Sequence, residues 1–246
     1  MPLVSVVIPA YNSARTLEDC VRSVCAQTAA DWEIVIVDDG SADGTAALSR
    51  GFGREDARIR LISQGNAGTA AARARGVKES RGRWIAFLDA DDRWLPEKLE
   101  AQLSLAGRTG AELLYTAAAC IDPAGNETGR IFSAPPAIDF DRLLRGNAIV
   151  CSSVLIKREW AERFPMEHAE LHEDYLCWLR VLRAGCLARG VTAPLTQYRI
   201  SPSSKSGNKL RSAAMTWRTL RTAGVPFARR CGCFLSYAAH GIRRYH

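Results

Sequence analysis

The sequence predicts an α/β fold in which an open, mostly parallel twisted sheet is flanked by helices. Two short apolar runs, at residues 34–37 and 84–88, have the length and composition of strands that are buried on both faces. Strand and helix patterns alternate through residue 90, which predicts parallel strands joined by right-handed crossovers. The chain of 246 residues is long enough for one large domain of this class, or for a domain with an extension.

The elements of the first half follow from hydrophobic periodicity and turn residues. Strands are predicted at residues 3–8, 33–37, 59–62 and 84–88. Helical patterns separate these strands, through Leu17 and Val24, through Ala47 and Leu48, and from Thr69 to Gly76 or Gly82. The patterns of the second half are weaker, and they predict a helix over 95–105, a strand over 112–119, a hairpin turn at 123–126, a strand over 149–156 that includes Ser152 and Ser153, and a helix over 173–184.

The positive charge of the chain is concentrated in its C-terminal part. The formal net charge is +7, yet the first 174 residues hold 20 Lys or Arg against 26 Asp or Glu, and the last 72 hold 13 Lys or Arg and no acidic residue. Such a segment indicates an anionic partner, either nucleic acid or an anionic membrane surface. No nucleic-acid recognition motif accompanies it, so we expect no nucleic-acid partner.

Residues 225–246 have the pattern of a cationic amphipathic helix. From Phe227 onward the apolar residues recur on one helical face, and Arg229 and Arg243 lie on another. Such a helix either lies on an anionic membrane or packs on the rest of the protein with its arginines toward solvent. Because the chain shows no apolar window of about 18 residues and no signal-peptide pattern, we expect a cytoplasmic protein, either free or peripheral on the inner face of the cytoplasmic membrane.

Aspartates cluster where two of the predicted strands end. Asp38 and Asp39 follow the second strand, and Asp89, Asp91 and Asp92 follow the fourth. These positions belong to the carboxyl edge of a parallel sheet, where α/β proteins bind ligands. Burying several unpaired carboxylates is costly, so we expect a cation among them and a negatively charged ligand on that cation. Carboxylate, phosphate and water oxygens suit Mg²⁺ or Mn²⁺, although an isolated Asp-x-Asp is also typical of a solvated turn.

Four blocks occur in order along the chain: residues 5–12, residues 38–45, Asn66 with Gly68 and Arg73, and residues 87–92. Together these blocks resemble the family-2 glycosyltransferases in sequence, order and spacing, and the resemblance extends over roughly residues 3–200. It implies a GT-A fold and the inverting transfer of a sugar from a nucleotide-sugar. It also implies Mg²⁺ or Mn²⁺ on the departing diphosphate, where the ion would neutralise developing charge.

The resemblance implies a role for most of the residues at the strand ends. Pro9, Ala10 and Tyr11 would line the nucleoside pocket, with Tyr11 beside the base. Asp39 would accept a hydrogen bond from uracil N3–H, which favours a UDP-sugar donor. The further nucleotide-sugar positions implied are Asn66, Arg73, Asp89 and Ala90.

Three of these positions have more than one interpretation. Arg73 either reaches toward the nucleotide or is an ordinary charge on a helix surface. Asp89 would hold the ribose or a metal-bound water, and Asp91 would bind the metal directly. Asp92 is either a second metal ligand or the N-cap of the helix that follows, and we favour the cap.

Inverting transfer also needs a general base on the acceptor side. Residues 171–178 resemble the Glu-Asp motif of the family, which implies Asp174 as the catalytic base and Glu173 as the less favoured alternative. Trp178 lies one turn later and is either a sugar-stacking or a core residue. His172 is a candidate for contact with a donor phosphate.

We therefore expect a GT-A domain over residues 1–205 and a basic helical extension over 206–246. Within the domain, 1–100 would be the nucleotide-sugar-binding half and 101–205 the acceptor half. The expected enzyme is a hexosyltransferase that moves a sugar from a UDP-sugar to a saccharide acceptor, lipid-linked or polysaccharide, in cell-envelope glycan synthesis.

Two other functions share parts of this pattern. A nucleotidyltransferase uses similar carboxylate–metal chemistry, but the turn at residues 9–12 is not a Gly-rich loop with Arg and Lys. A non-catalytic nucleotide-sugar-binding scaffold would lack the base or the metal ligand, and both candidates are present.

Overall fold

The computed structural model describes residues 1–168, 170–200 and 209–234, and it confirms the predicted α/β class. The strands are β1 (Val4–Ala10), β2 (Trp32–Asp38), β3 (Ile59–Ser63), β4 (Trp84–Phe87), β5 (Arg93–Trp94), β6 (Leu113–Ile121), β7 (Glu127–Phe132), β8 (Ala137–Ile138), β9 (Leu155–Lys157) and β10 (Ala188–Arg199). The helices are α1 (Leu17–Cys25), α2 (Thr45–Glu55), α3 (Thr69–Glu79), α4 (Lys98–Thr109), α5 (Phe140–Leu143), α6 (Arg158–Arg163), α7 (Glu173–Arg183) and α8 (Lys209–Thr222).

Within these ranges the strands form one sheet in the order β3-β2-β1-β4-β9-β6-β10-β5, with β7 beside β6 and β8 beside β10. The strands β3, β2, β1 and β4 run parallel to one another. The short β9 is antiparallel to both β4 and β6. Because β2 and β4 flank β1 on opposite sides, the chain changes direction across the sheet at β1. Open α/β sheets bind ligands in the crevice outside the strand ends at such a point, here the ends of β1 and β4.

The central strands are buried on both faces, as their apolar runs predict. All seven residues of β1 and all seven of β2 are buried. Neighbouring residues of β1 pack into different hydrophobic clusters: Val6 and Ile8 belong to one cluster, and Val7 belongs to another. This rigid layer fixes the positions of the polar residues that follow each strand.

The prediction misses several elements of the second half, and residues 149–156 and β10 are the two that bear on the site. The strand expected over 149–156 is wrong for most of its length, because residues Cys151–Ser153 form a 3₁₀ turn and only Leu155 and Ile156 of that range belong to a strand, β9. The carbonyl groups of Ser152 and Ser153 accept hydrogen bonds from the side chains of Trp94 and Gln102, so they do not join a strand ladder. The long strand β10 was not predicted, because a register shift between Val191 and Thr196 interrupts its pattern.

The described part of the C-terminal segment packs on the rest of the protein. Leu220, Ala223, Val225 and Cys233 lie in the same core cluster as residues of α7. Residues 227–234 are helical, and the Phe234 ring lies 5.6 Å from that of Trp217 in α8. Of the two interpretations of this helix, packing on the protein therefore holds for residues 227–234, and residues 235–246 lie outside the described ranges.

No helix in the described part of the chain is long and apolar enough to cross a membrane.

Candidate active site

The residues implied by the four sequence blocks converge at the carboxyl ends of β1, β2 and β4. Pro9 and Ala10 are buried at the end of β1, and Tyr11 just beyond them is 52% exposed. Asn12 has a left-handed backbone (φ 50°), and its side chain accepts a hydrogen bond from the Ala42 amide at 2.9 Å. The turn after β1 is thus tied to the turn after β2, and the Tyr11 ring faces solvent at the rim of the crevice.

Asp39 organises the loop that precedes α3. Its carboxylate is buried and accepts hydrogen bonds from the amides of Ala67 and Gly68, both at 2.8 Å. A third bond comes from the Gln64 side chain at 2.9 Å. In this structure Asp39 fixes the segment that carries the exposed Asn66, and its contact with a uracil base stays a prediction.

Gly40 allows the turn after β2 to lie against the backbone of the loop that carries Asn66. Its φ of +75° favours glycine, and an added Cβ would lie 2.9 Å from the backbone nitrogen of Asn66. The glycine of the second sequence block is therefore needed for close contact between two backbone segments.

Arg73 is buried, so the interpretation as a surface charge is wrong. Its side chain is 6% exposed, and one terminal nitrogen, Nη2, lies 2.6 Å from Oδ1 of Asp89. The other, Nη1, lies 3.1 Å from Oε1 of Glu173, which begins α7. Both terminal nitrogens thus face carboxylates, one on each side of the crevice, and direct contact between Arg73 and a nucleotide stays a prediction.

The three aspartates after β4 have different surroundings. The Asp89 side chain is 28% exposed, Asp91 is exposed, and Asp92 is buried with 2% exposure. Loss of solvent around the Asp91 carboxyl, together with the negative charge of Asp89, raises the pKa of Asp91 to about 6. Asp91 is thus an exposed residue whose carboxyl lies partly enclosed in a negatively charged setting, and this suits a metal ligand.

Asp92 does not cap the following helix, so the favoured interpretation is wrong. Helix α4 begins at Lys98 with Glu97 as its N-cap residue. The Asp92 carboxyl instead accepts hydrogen bonds from Ser152 Oγ at 2.5 Å and from the Arg199 amide at 2.8 Å. Burial, with the nearby charges of Asp91 and Asp89, raises the pKa of Asp92 well above its usual range.

Ser152 and Arg199 hold the aspartate loop, and sequence reasoning missed both roles. Ser152 Oγ also accepts from the Asp89 amide at 3.1 Å, so one hydroxyl connects Asp89 with Asp92. Arg199 Nε donates to the Asp91 carbonyl at 2.7 Å. A polar residue inside a predicted apolar strand was the available signal for Ser152, whereas the contacts of Arg199 depend on the unpredicted β10.

Asp174 lies in the first turn of α7, beside the Arg73–Glu173 pair. Burial first, and then the negative charge of Glu173, raise the pKa of Asp174, while Arg73 and His172 act in the opposite direction. His172 Nε2 lies 3.2 Å from the Ser212 carbonyl oxygen, and the His172 amide donates to Thr219 Oγ1 at 3.3 Å. His172 therefore connects α7 to α8, and its contact with a donor phosphate stays a prediction. Trp178 is fully buried against Phe87, which makes it a core residue.

The carboxylates at this site suit a divalent ion that is bound partly by the protein and partly by its substrate. Among the residues described, no group of three or more His, Cys, Asp and Glu side chains could hold a metal ion. Asp91 is an exposed residue, and the partly buried Asp89 lies two positions before it. One or two such carboxylates form a partial site that Mg²⁺ or Mn²⁺ completes with phosphate oxygens and water.

A sequence model of the family described as Glycosyl transferase family 2 matches residues 5–163. The chain belongs to glycosyl transferase family 2. It is 34% identical over 245 residues to TuaG of Bacillus subtilis (strain 168), by its name a glycosyltransferase of teichuronic acid biosynthesis, with 99% of this chain and 97% of that protein covered. Family membership and this near full-length similarity make the chain a glycosyltransferase.

A second relative has a name that states donor and acceptor. The Escherichia coli protein WfgD, a UDP-Glc:alpha-D-GlcNAc-diphosphoundecaprenol beta-1,3-glucosyltransferase, is 34% identical over 247 residues, which cover 99% of this chain and 95% of that protein. Among solved structures, S. aureus TarS 1-349 in complex with UDP-GlcNAc superposes with a TM-score of 0.73 at 17% identity, over 92% of this chain and 66% of that chain. This structural likeness shows that the family-2 enzyme has the GT-A fold.

Proposed function

We propose that this glycosyltransferase moves a sugar from a UDP-sugar to an acceptor hydroxyl with inversion at the transferred carbon. The observation that carries the proposal is that one buried arginine, Arg73, connects the aspartate segment after β4 with the Glu-Asp segment of α7. Asp89 and Asp91 follow β4, Asp174 is the second residue of α7, and Arg73 pairs with both Asp89 and Glu173, the residue before Asp174. A single base facing a donor leaving group is the arrangement that inverting transfer requires.

The proposed nucleoside site consists of Pro9, Ala10, Tyr11, Asp39 and Asn66. A carboxylate offers about four acceptor positions, and the described partners of Asp39 use three of them. The remaining position would accept from uracil N3–H. Cytosine has no N3–H to donate, which is the physical basis for the preference for uracil.

The proposed diphosphate site consists of Asp89, Ala90 and Asp91, with Asp91 as the metal ligand. A bound Mg²⁺ or Mn²⁺ supplies positive charge to the departing diphosphate. Arg73 would act on this site through Asp89, since a buried guanidinium at 2.6 Å holds that carboxylate in one orientation.

Asp174 is the proposed general base. A carboxyl whose pKa is raised by burial is a stronger base than an ordinary aspartate, so it is better matched to a hydroxyl proton near neutral pH. Glu173 is less suited to this task, because its carboxylate is 7% exposed and paired with Arg73.

The proposed acceptor is a lipid-linked or polysaccharide saccharide of the cell envelope. The names of TuaG and WfgD, together with the similarity over nearly the whole chain, support this assignment. We further propose that residues 225–246 bring the enzyme to an anionic membrane surface while their described part packs on the protein. In that part Arg229 pairs with Asp141, and the Phe227 side chain, 67% exposed, is the feature that supports contact with a membrane.

The first test separates donor binding from chemistry. Thermal shift with UDP, CDP and GDP, each with and without Mn²⁺, should show the largest stabilisation for UDP with Mn²⁺. Equal shifts for UDP and CDP would contradict the role of Asp39.

The second test concerns the base. Asp174→Asn should abolish sugar transfer and leave UDP affinity unchanged. The matched control is Glu170→Gln, which removes an exposed carboxylate close by and should transfer normally. Near-normal turnover by Asp174→Asn would reject the assignment of the base.

A further inference from the structure

We propose that Arg73 is the positioning residue for the catalytic base, because its guanidinium joins the donor strand to the first turn of α7 and so fixes where Asp174 lies and which charges surround it. This inference rests on the proposed function of Asp174. It assigns Arg73 and Glu173 a task distinct from nucleotide contact.

The bridge is short and buried at its centre. The distances from Arg73 are 2.6 Å to Asp89 and 3.1 Å to Glu173, and the Arg73 and Glu173 side chains are 6% and 7% exposed. A guanidinium presents separate nitrogens to two carboxylates in a fixed plane, whereas a lysine ammonium is a single point of charge on a flexible stem. The geometry therefore requires arginine.

Arg73 can act as a rigid connection because its helix is fixed independently. Asp39 holds the amides at the start of α3, and Gly76, one turn after Arg73, lies directly against Val7 of β1. The nucleoside end of the site and the base are thus connected through one helix. A displacement of about 1 Å in the base is enough to lower turnover by about 100-fold.

The pKa of Asp174 reports on the Arg73–Glu173 pair, because both charges act on it. The groups that act on Asp174 or respond to it are Arg73 from α3, His172, Glu173 and Cys177 around α7, Cys151 from the 3₁₀ turn, and Tyr198 from β10. Burial is the largest cause of the raised pKa of Asp174; Glu173 raises it further, and Arg73 lowers it. Removing one or the other member of the pair should therefore move the titration of Asp174 in opposite directions.

The test is a carboxyl ¹³C NMR titration of the full chain, with Asp174→Asn used to assign the resonance. In Arg73→Met the Asp174 signal should titrate at higher pH than in the wild type, and in Glu173→Gln at lower pH. The matched control is Arg75→Met on the same helix, because Arg75 is half exposed and its ion pair within the described residues is the local one with Glu79 at 3.0 Å. Its titration should equal that of the wild type.

Shifts in the same direction for Arg73→Met and Glu173→Gln would overturn the inference, since general loosening of the site would produce them. Unchanged titration in both would overturn it as well. If Arg73→Met does not fold, Glu173→Gln and Arg73→Lys carry the test.

Arg73→Lys keeps the positive charge but cannot present separate nitrogens to Asp89 and Glu173. With the UDP-sugar that gives the largest thermal shift, kcat should fall by about 100-fold while the donor KM changes little. A wild-type kcat in this variant would reject the positioning role. If Asp174→Asn still transfers sugar, Asp174 is not the catalytic base. The opposite pKa shifts of Asp174 in Arg73→Met and Glu173→Gln are measured independently of that result.

Discussion

Gly76→Ala should destabilise the enzyme and impair its site, although alanine is the better helix former. An added Cβ at Gly76 would lie 2.3 Å from Cγ1 of Val7 and 3.3 Å from Cγ2 of Val37. Val7 is fully buried on the central strand, so it has no room to move. The methyl group can be accommodated only if α3 shifts away from the sheet, and Arg73 would shift with it.

Two effects of known size oppose each other at this position. Replacing glycine by alanine inside a helix stabilises it by about 1 kcal/mol. Overpacking a tight core costs about 1–3 kcal/mol or more, and a contact far below van der Waals distance belongs at the upper end. The net expectation is a loss of about 2 kcal/mol in the free energy of unfolding, or about 4–8 °C in Tm for a chain of this size.

Gly51→Ala in α2 is the matched control. An added Cβ at Gly51 meets nothing within 4 Å, so only the gain in helix propensity remains. We expect this variant to be more stable by about 1 kcal/mol. Urea unfolding followed by circular dichroism measures both changes, and a Gly76→Ala protein as stable as Gly51→Ala would refute the reasoning.

Three further predictions concern buried polar contacts and the C-terminal segment. Although burial alone would raise the pKa of Glu33, hydrogen bonds from Ser5 Oγ, the Arg81 amide and Arg60 outweigh it and lower that pKa. Glu33→Gln should thus lose about 2 kcal/mol at pH 7, and urea unfolding should show this difference shrinking as pH falls below about 4. Ser152→Ala leaves the buried Asp92 and the Asp89 amide without a shared partner, so it should cost about 2 kcal/mol in urea unfolding; a loss below about 0.5 kcal/mol would contradict that role. Deleting 206–246 exposes the core under α8 and should abolish cooperative thermal unfolding, whereas a sharp transition near that of the full chain would show that this segment is dispensable for the fold.

The strands of the first half, and so the places where they end, could be predicted because each strand is marked by a local run of apolar residues. The runs at β1, β2 and β4 are apolar on both faces, and this pattern has few other structural solutions. Once these strands are parallel, the residues that follow them must share one edge of the sheet. The place of Asp39, Asp89 and Asp91 at the same edge of the sheet therefore needed no knowledge of long-range contacts.

The partners of these residues could not be predicted, because they come from distant parts of the chain. Ser152 is 60 positions from Asp92, and Glu173 is 100 positions from Arg73. Alanine occupies several sides of α3, so its sequence does not reveal which side turns toward the sheet. The choice between a surface and a buried Arg73 depended on that orientation.

Burial separates the tasks of aspartates that look equivalent in the sequence. Asp39 and Asp92 have their carboxylate oxygens engaged by backbone amides and nearby side chains, and exchanging such bonds for a ligand leaves buried donors unpaired. Asp91 is an exposed residue whose carboxyl lies beside the negative charge of Asp89, and a bound cation would relieve that repulsion. An Asp-x-Asp-Asp segment after a strand therefore combines one position open to a metal with one that holds the loop in shape. Counting carboxylates in the motif overestimates the number of metal ligands, and the exposure of each carboxylate corrects the count.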